Sequence, residues 1–357
     1  GVVGYSFGNF EVNAIEEVSF RQSNLRPERT LLRSRDDDIT VASYNVLNLA
    51  GDGTDVEQLA NVGAHIAHNL RAPAIVALQE IQDDSGETDD GTLEAGGTLA
   101  ALVDAVVAAG GPTYEAVDVA PPTDGAFGGV PGGNIRNAFL YDPSRVSLVD
   151  LYGLDPARLA SLGLAADAFD GSRDPIVGVF GVLDDDDGHD VGDEVEGLLT
   201  VVNNHFSSRF GSTPIFGGPQ PFVQAGEDAR AAQSGAVNGF VDSLVADDDE
   251  AAVVVLGDLN TFQWTDELAE VLPGVGGERV LTNLVTEHRY LADDRDDRYT
   301  FVFDGNSQAL DHAFVTDALL EERPRLDIVH VNTDFARIDD STASDHEPLV
   351  VRLSVDD

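Results

Sequence analysis

The sequence predicts an α/β fold, on two observations. Short apolar runs rich in Val, Ile and Ala alternate with stretches of helical periodicity, and most of the runs stop at a single polar residue. The first element, residues 38–47 (DITVASYNVL), reads as a strand with Asn45 near its end. Residues 55–70 repeat apolar side chains three and four apart and read as a helix. Residues 72–80 (APAIVALQE) form a buried strand closed by Glu80, and a second helix follows over 96–109. Residues 135–142 and 145–150 read as a strand pair joined at Pro143, and 197–206 as a strand ending in His205. Residues 223–245 again have helical periodicity. Residues 251–258 (AAVVVLGD) are a core strand, and 309–316 and 346–355 supply the last two. There is no internal repeat, and the compositionally biased loops are acidic (184–194) or Gly-rich (125–134).

A chain of 357 residues fits one large α/β domain or two modest ones. Its 42% hydrophobic content can bury a sizeable core, and no apolar run approaches the length of about 18 residues that a membrane helix needs. No membrane partner is expected, and nothing points to an obligate protein partner. Acidic residues number 65 against 20 basic ones, all of them Arg, for a net charge of −45. Such a charge repels itself in ordinary salt, whereas at molar salt the screening length falls to about 3 Å and the repulsion largely disappears. The composition therefore predicts a halophile's protein. An acidic disordered tail does not account for it, because the acid is spread through the periodic segments. With no Cys, disulfides and thiolate metal sites are excluded, so any metal must sit on oxygen or imidazole. With no Met, Gly1 is not a translation start, and a targeting signal is expected to lie upstream or to have been removed. Residues 1–37 differ in character: 1–12 look like one or two strands, and 21–35 hold five Arg in fifteen residues. A linker or the remnant of a preceding domain is expected there, with a nucleic-acid-contacting arm as the alternative.

The chemistry gathers at the strand ends. Alone, Asp258 and Asn260 after an apolar strand would be a turn or helix cap, since such side chains bond nearby backbone amides. Asn45, Glu80 and His205 are open to the same reading one at a time. Together with Asp311, however, they all end or follow apolar strands, the edge at which open α/β sheets gather ligand-binding groups. As a set they offer hard oxygen ligands for a divalent cation and imidazoles for proton transfer. His65 and His68 on a helix, and His312 beside Asp311, read as packing or surface residues. The run from Asp184 to Asp190 misses the ligand order of an EF-hand and reads as a solvated hairpin tip.

The segments SYNVLNL, ALQEIQD, NNHFSSR, GDLNTF, LDHAFV and SDHEPLVV follow one another in an order and spacing that resemble the endonuclease/exonuclease/phosphatase superfamily, which includes pancreatic-type deoxyribonuclease. The likeness runs over residues 38–355 and is nearest to secreted bacterial and archaeal nucleases, whose substrate-side loop YTFVFDGNSQALDHAFV resembles. It implies a four-layer sandwich, two packed mixed β-sheets flanked by helices, with 38–357 as the catalytic domain and 1–37 as the tail of an OB-like module. It implies Glu80 as principal ligand of Mg²⁺, or of Mn²⁺ or Ca²⁺, with Asn45 and Asp345 close by. His346, held by Asp311, resembles the general base pair. By the same resemblance Asp258 orients or deprotonates the nucleophile, Asn260 donates to phosphate, and His205 is the second imidazole. Arg136, with Asn134 and Asn204, is expected to contact substrate. Pancreatic-type enzymes pair the second histidine with an acid on the strand that here reads NIRNAFLY, which has none, so the partner of His205 is left open.

The expectation is a secreted, nonspecific nuclease cutting DNA. A sphingomyelinase or inositol-phosphate phosphatase of the same fold is the enzymatic rival, and a non-catalytic acidic surface protein is the rival from another class.

Overall fold

The computed structural model describes residues 1–6, 8–19, 25–34, 38–183, 195–214, 216–274, 279–292, 297–303, 305–335 and 343–355. In chain order, β1 (Val2–Ser6) and β2 (Asn9–Asn13) form a separate hairpin. Strand β3 (Ile39–Leu49) leads through α1 (Val56–Ala64) and a π-turn at His65–Asn69 into β4 (Ile75–Ile81). Next come α2 (Gly96–Ala108), β5 (Glu115–Asp118), β6 (Arg136–Tyr141), β7 (Val146–Gly153), α3 (Pro156–Ser161) and β8 (Ile176–Leu183). Then follow β9 (Val195–His205), α4 (Glu227–Asp247), β10 (Val253–Asp258), β11 (Thr282–Asn283), and the hairpin of β12 (Phe301–Phe303) and β13 (Asn306–Gln308). The chain closes with β14 (Asp311–Val315), α5 (Asp317–Glu321), β15 (Arg325–Ile328) and β16 (Leu349–Leu353).

Two six-stranded mixed sheets result, in the orders β15-β16-β3-β4-β6-β5 and β11-β14-β10-β9-β8-β7. The alternation of side chains along each strand assigns them to layers. Val41, Ile75, Ala77, Phe139, Leu199, Val201, Val254, Leu256, Ala313, Val315, Leu349 and Val351 belong to the cluster between the sheets. Their odd-numbered or even-numbered neighbours point the other way. Ala42, Tyr44, Val76, Leu78 and Val350 pack with Leu59, Val62, Leu99, Leu102 and Val106 of α1 and α2. Val202, Val253, Val255 and Phe314 pack with Val237, Phe240 and Val241 of α4. Three apolar clusters thus separate four layers, helix, sheet, sheet and helix, as the resemblance implies. Strands buried on both faces read as continuous apolar runs, which explains the unbroken pattern of VVVLG.

Two readings need correction. Residues 135–142 and 145–150 are not a strand pair: β6 lies between β4 and β5 in one sheet, and β7 pairs with β8 at the edge of the other. Both edges of β6 are already filled, so the turn at Asp142 carries the chain across to the second sheet. The expected linker is also tied down over part of its length. Thr30 N–H donates to Asn69 O at 2.9 Å, Thr30 Oγ1 to Asp327 at 2.6 Å, and Leu32 is buried in the outer cluster. The run 184–190, with its hairpin-tip reading, lies outside the described residues.

Candidate active site

The layer parity also builds the site. Residues that point between the sheets recur at every second position, so Asn45 follows Val41, His205 follows Val201, Asp258 follows Leu256, and Asp311 precedes Ala313 on the same inward face. In the second sheet Asp258 is paired with His205 on one side and Asp311 on the other. Four polar side chains therefore converge at one end of the seam, where the apolar filling stops. Glu80 has the opposite parity and reaches the seam through its backbone, with φ at +65° and the β4–β6 register shifted between Leu78 and Ile81. Asn260 sits at φ +51°. Such conformations cost about 1–3 kcal/mol each and persist where surrounding structure imposes them, which is common at functional sites. Gly257, at φ +134°, is forced: a Cβ there would lie 2.0 Å from Asn204 O.

Hydrogen bonds lock the cluster. Asn45 Nδ2 donates to Glu80 Oε1 and to Asp258 Oδ2, both at 3.1 Å, while Asn45 Oδ1 accepts from Leu47 N–H at 3.0 Å. Asn48 N–H donates to Glu80 Oε2 at 3.0 Å. Asp258 Oδ1 accepts from Asn260 N–H at 2.9 Å, so the turn-capping role is real, and its Oδ2 is left facing the imidazoles. Asn260 Nδ2 donates to Asp258 Oδ2 and to Phe206 O. His346 Nδ1 lies 2.7 Å from Asp311 Oδ2, and its Nε2 is 3.7 Å from Asp258 Oδ2. The ring rests against Phe301, 4.9 Å between centroids. His205 Nε2 stands 3.5 Å from Asp258 Oδ2 and 3.7 Å from Glu80 Oε1. Its Nδ1 is buried with no hydrogen-bond partner among the described residues, which accords with the acid missing from β6.

Burial decides the charges. It raises the Asp258 carboxyl to about 7, with the Asp311 and Glu80 charges adding and His346 opposing. Burial works against a proton on His346, but the charges of Asp311 and Asp258 outweigh it and hold the imidazole well above its ordinary range. His205 goes the other way, because burial and then the Arg173 guanidinium hold it well below that range. The surroundings thus favour a proton on His346, disfavour one on His205 and lift the Asp258 carboxyl to about 7.

The structure brings together Asn45, Glu80, His205, Asp258, Asn260, Asp311 and His346. Asp345 is exposed next to His346 and adds to the charge that keeps that imidazole protonated. The three expected substrate contacts are internal instead. Arg136 is fully buried and pairs with Asp118 at 3.0 Å. Asn134 Nδ2 donates to Asp83, Asp124 and Thr92 O, and Asn204 Nδ2 to Val202 O and Leu256 O. A guanidinium with a carboxylate partner and no exposure braces its loop rather than meeting a ligand from solvent.

The cation at the site is Arg173, which sequence reasoning missed. It is buried, donates from Nη2 to Phe206 O at 2.9 Å, and feels the charges of Glu80 and Asp258. Its signal was an Arg-Asp-Pro directly before IVGVFGVL, the strand β8 that the periodicity reading also passed over. His312 is structural, as expected: its ring nitrogens meet Asn283 Nδ2 and Thr261 O, and burial lowers it to about 4. His65 likewise packs against Tyr44, whose hydroxyl is 3.0 Å from Nδ1.

Two facing sheets with carboxylates and imidazoles gathered at one end of their seam define a phosphoester hydrolase. The particular family follows from the sequence: residues 42–346 match the Endonuclease/Exonuclease/phosphatase family, and the chain belongs to it. Among solved structures it is similar to truncated TDP2 of Caenorhabditis elegans, at 15% identity and TM-score 0.54, covering 89% of this chain and 98% of that one. An endonuclease/exonuclease/phosphatase protein of Bacteroides vulgatus is similar at 15% identity and TM-score 0.53, covering 89% and 99%. A mannosyl-6-phosphatase of Bacteroides thetaiotaomicron is similar at 16% identity and TM-score 0.51, covering 88% and 99%. At these identities the likeness is one of fold. No curated protein gives a significant match.

Enzymes of this family use divalent metals, and the residues present fit one. Asp258, Asp311 and His346 offer ligand atoms within 4.8 Å of one another. Glu80 and Asp258 share the Asn45 amide and both face His205 Nε2, and with Asp311 these carboxylates outnumber the Arg173 guanidinium, which feels the charges of Glu80 and Asp258. A buried excess of hard oxygen ligands suits a hard divalent cation.

Proposed function

We propose that this protein is a Mg²⁺-dependent phosphodiesterase that hydrolyses nucleic acid, foremost DNA, with little sequence preference, and that a halophilic organism secretes it. The observation that carries the reading is His346, fixed by Asp311 and directed at an Asp258 that titrates near neutrality, beside Glu80. Glu80, with Asn45 and Asp345 close by, would hold the ion, and Mn²⁺ or Ca²⁺ would also suit these oxygens. When bound it supplies neutralisation of the phosphate and stabilisation of the departing alkoxide.

The chain's own groups do the rest. Asp258, buried and oriented by the Asn260 N–H, accepts the proton of the attacking water. The His346 imidazolium, with Nδ1 spent on Asp311, directs its Nε2–H at a phosphoryl oxygen. Asn260 keeps Asp258 oriented through its N–H, and its Nδ2, bonded to Asp258 Oδ2, would donate to the developing charge. Supercoiled plasmid at molar KCl is the test: nicking should require Mg²⁺ and stop with EDTA. An intact plasmid, together with phosphate release from sugar monophosphates, would replace this reading with a monoesterase. The halophile component predicts loss of near-UV circular dichroism on dialysis to low salt and its return at molar KCl; an unchanged spectrum would refute it.

A further inference from the structure

We propose that Trp264, Phe262 and Arg209 form a base-binding subsite beside the catalytic cluster, in which an unstacked nucleobase lies on Trp264 while its phosphate meets Arg209. This rests on nucleic acid being the substrate. The chain holds one tryptophan, and it is 57% exposed rather than packed in a core. Its ring stacks on Phe262, with centroids 5.1 Å apart and planes at 19°, and the Arg209 guanidinium carbon lies 4.1 Å from the Phe262 centroid. Arg209 is half-buried, and among the described residues its buried Nη1 has no hydrogen-bond partner.

The two loops that carry these side chains are the loops that leave the catalytic strands. Trp264 follows Asn260 by four residues, and Arg209 follows His205 by four. The loops are joined where Phe206 N–H donates to Asp258 O at 2.9 Å and Asn260 Nδ2 donates to Phe206 O at 3.2 Å. The Trp264 turn is also rigid. Thr265 N–H and Thr265 Oγ1 both donate to Phe262 O, Thr261 and Thr265 hydroxyls meet at 3.0 Å, and His312 Nε2 holds Thr261 O at 3.1 Å. An exposed aromatic on a fixed turn loses little freedom on binding.

Charge makes the same point. At −45 the protein has little long-range attraction for a polyanion, and at molar salt counterion release adds almost nothing. Base stacking survives salt and tolerates any sequence. A guanidinium beside the stack supplies a short-range phosphate contact.

Because Trp264 is the only tryptophan, its fluorescence reports the subsite with no turnover needed. At molar KCl with EDTA, single-stranded oligo-dA should quench it, and an abasic oligonucleotide of the same length should not. With Mg²⁺, Trp264→Leu should cut the preference for base-bearing over abasic oligonucleotide, in kcat/KM, about tenfold, and Trp264→Phe should restore most of it. Arg209→Gln should weaken binding of both oligonucleotides, since both keep their phosphates. Equal quenching by the two oligonucleotides, or an unchanged preference in Trp264→Leu, would overturn the subsite. Quenching by oligo-dA in a protein that cuts no nucleic acid would support the subsite and refute the nuclease reading; cleavage without quenching would do the reverse.

Discussion

His346 and His330 are both buried imidazoles with a carboxylate at Nδ1, 2.7 Å away on Asp311 in the first and 3.2 Å away on Glu28 in the second. In both, burial opposes the proton and neighbouring acids outweigh it, so both are raised above the ordinary histidine range. They part at the other nitrogen. His330 Nε2 is taken by Tyr299 O at 3.2 Å, its N–H donates to Glu28 Oε2, and its carbonyl accepts from Glu28 N–H. That is a closed clasp holding residues 25–34 against the chain end of β15. His346 Nε2 lies 3.7 Å from Asp258, beyond hydrogen-bond length, and so is not committed to that carboxylate. A raised histidine marks a charge balance; an uncommitted nitrogen beside a second titrating group marks a site.

The sharpest way to break this comparison is His346→Ala. It should lower kcat about 10³-fold, and the double variant with Asp311→Asn should be no worse, because the imidazolium and the acid that orients it act as one unit. Clearly additive losses would separate the two residues. A smaller effect, about 10²-fold in kcat, is expected for Asn260→Ala, the cost of removing one donor to developing charge. Its melting temperature should fall modestly, because Ala is strained at φ +51° and two acceptors lose their donor, whereas such a drop with turnover retained would make Asn260 a turn residue and nothing more.

The smallest effect on activity belongs to the clasp. Glu28→Ala should leave kcat within about twofold and cost about 1–3 kcal/mol of stability, the range for hydrogen bonds to a charged group. His330 is raised above its ordinary 6.5, so the clasp contributes fully below that pH and fades as pH climbs through the higher folded-state value. The melting gap between native protein and variant should therefore be widest in mild acid and narrow on the alkaline side. A gap that is flat with pH would show that Glu28 does not act through the imidazolium.

Most of the site was legible because its members sit where an apolar run stops. In VVVLGD and GLLTVVNNHF the same alternation that buries Leu256 and Val201 aims Asp258 and His205 at the seam, and local periodicity carries that information. The two-sheet architecture was legible only through the family's ordered motifs. Alternation alone could not say which sheet a strand joins, which is why β6 and β7 were taken as a pair. Arg136 and Arg173 show the same limit from the other side. Each is an arginine next to a strand, and nothing local distinguishes them. One is closed off by Asp118 and the other feels the charges of Glu80 and Asp258, and those partners arrive from distant parts of the chain. The sequence by itself determined the strands, their buried faces and the polar residues at their ends, since these depend on neighbours two to four positions away. The tertiary structure alone decided which charges lose their water and which partners they meet, and hence that the surroundings favour a proton on His346 and oppose one on His205.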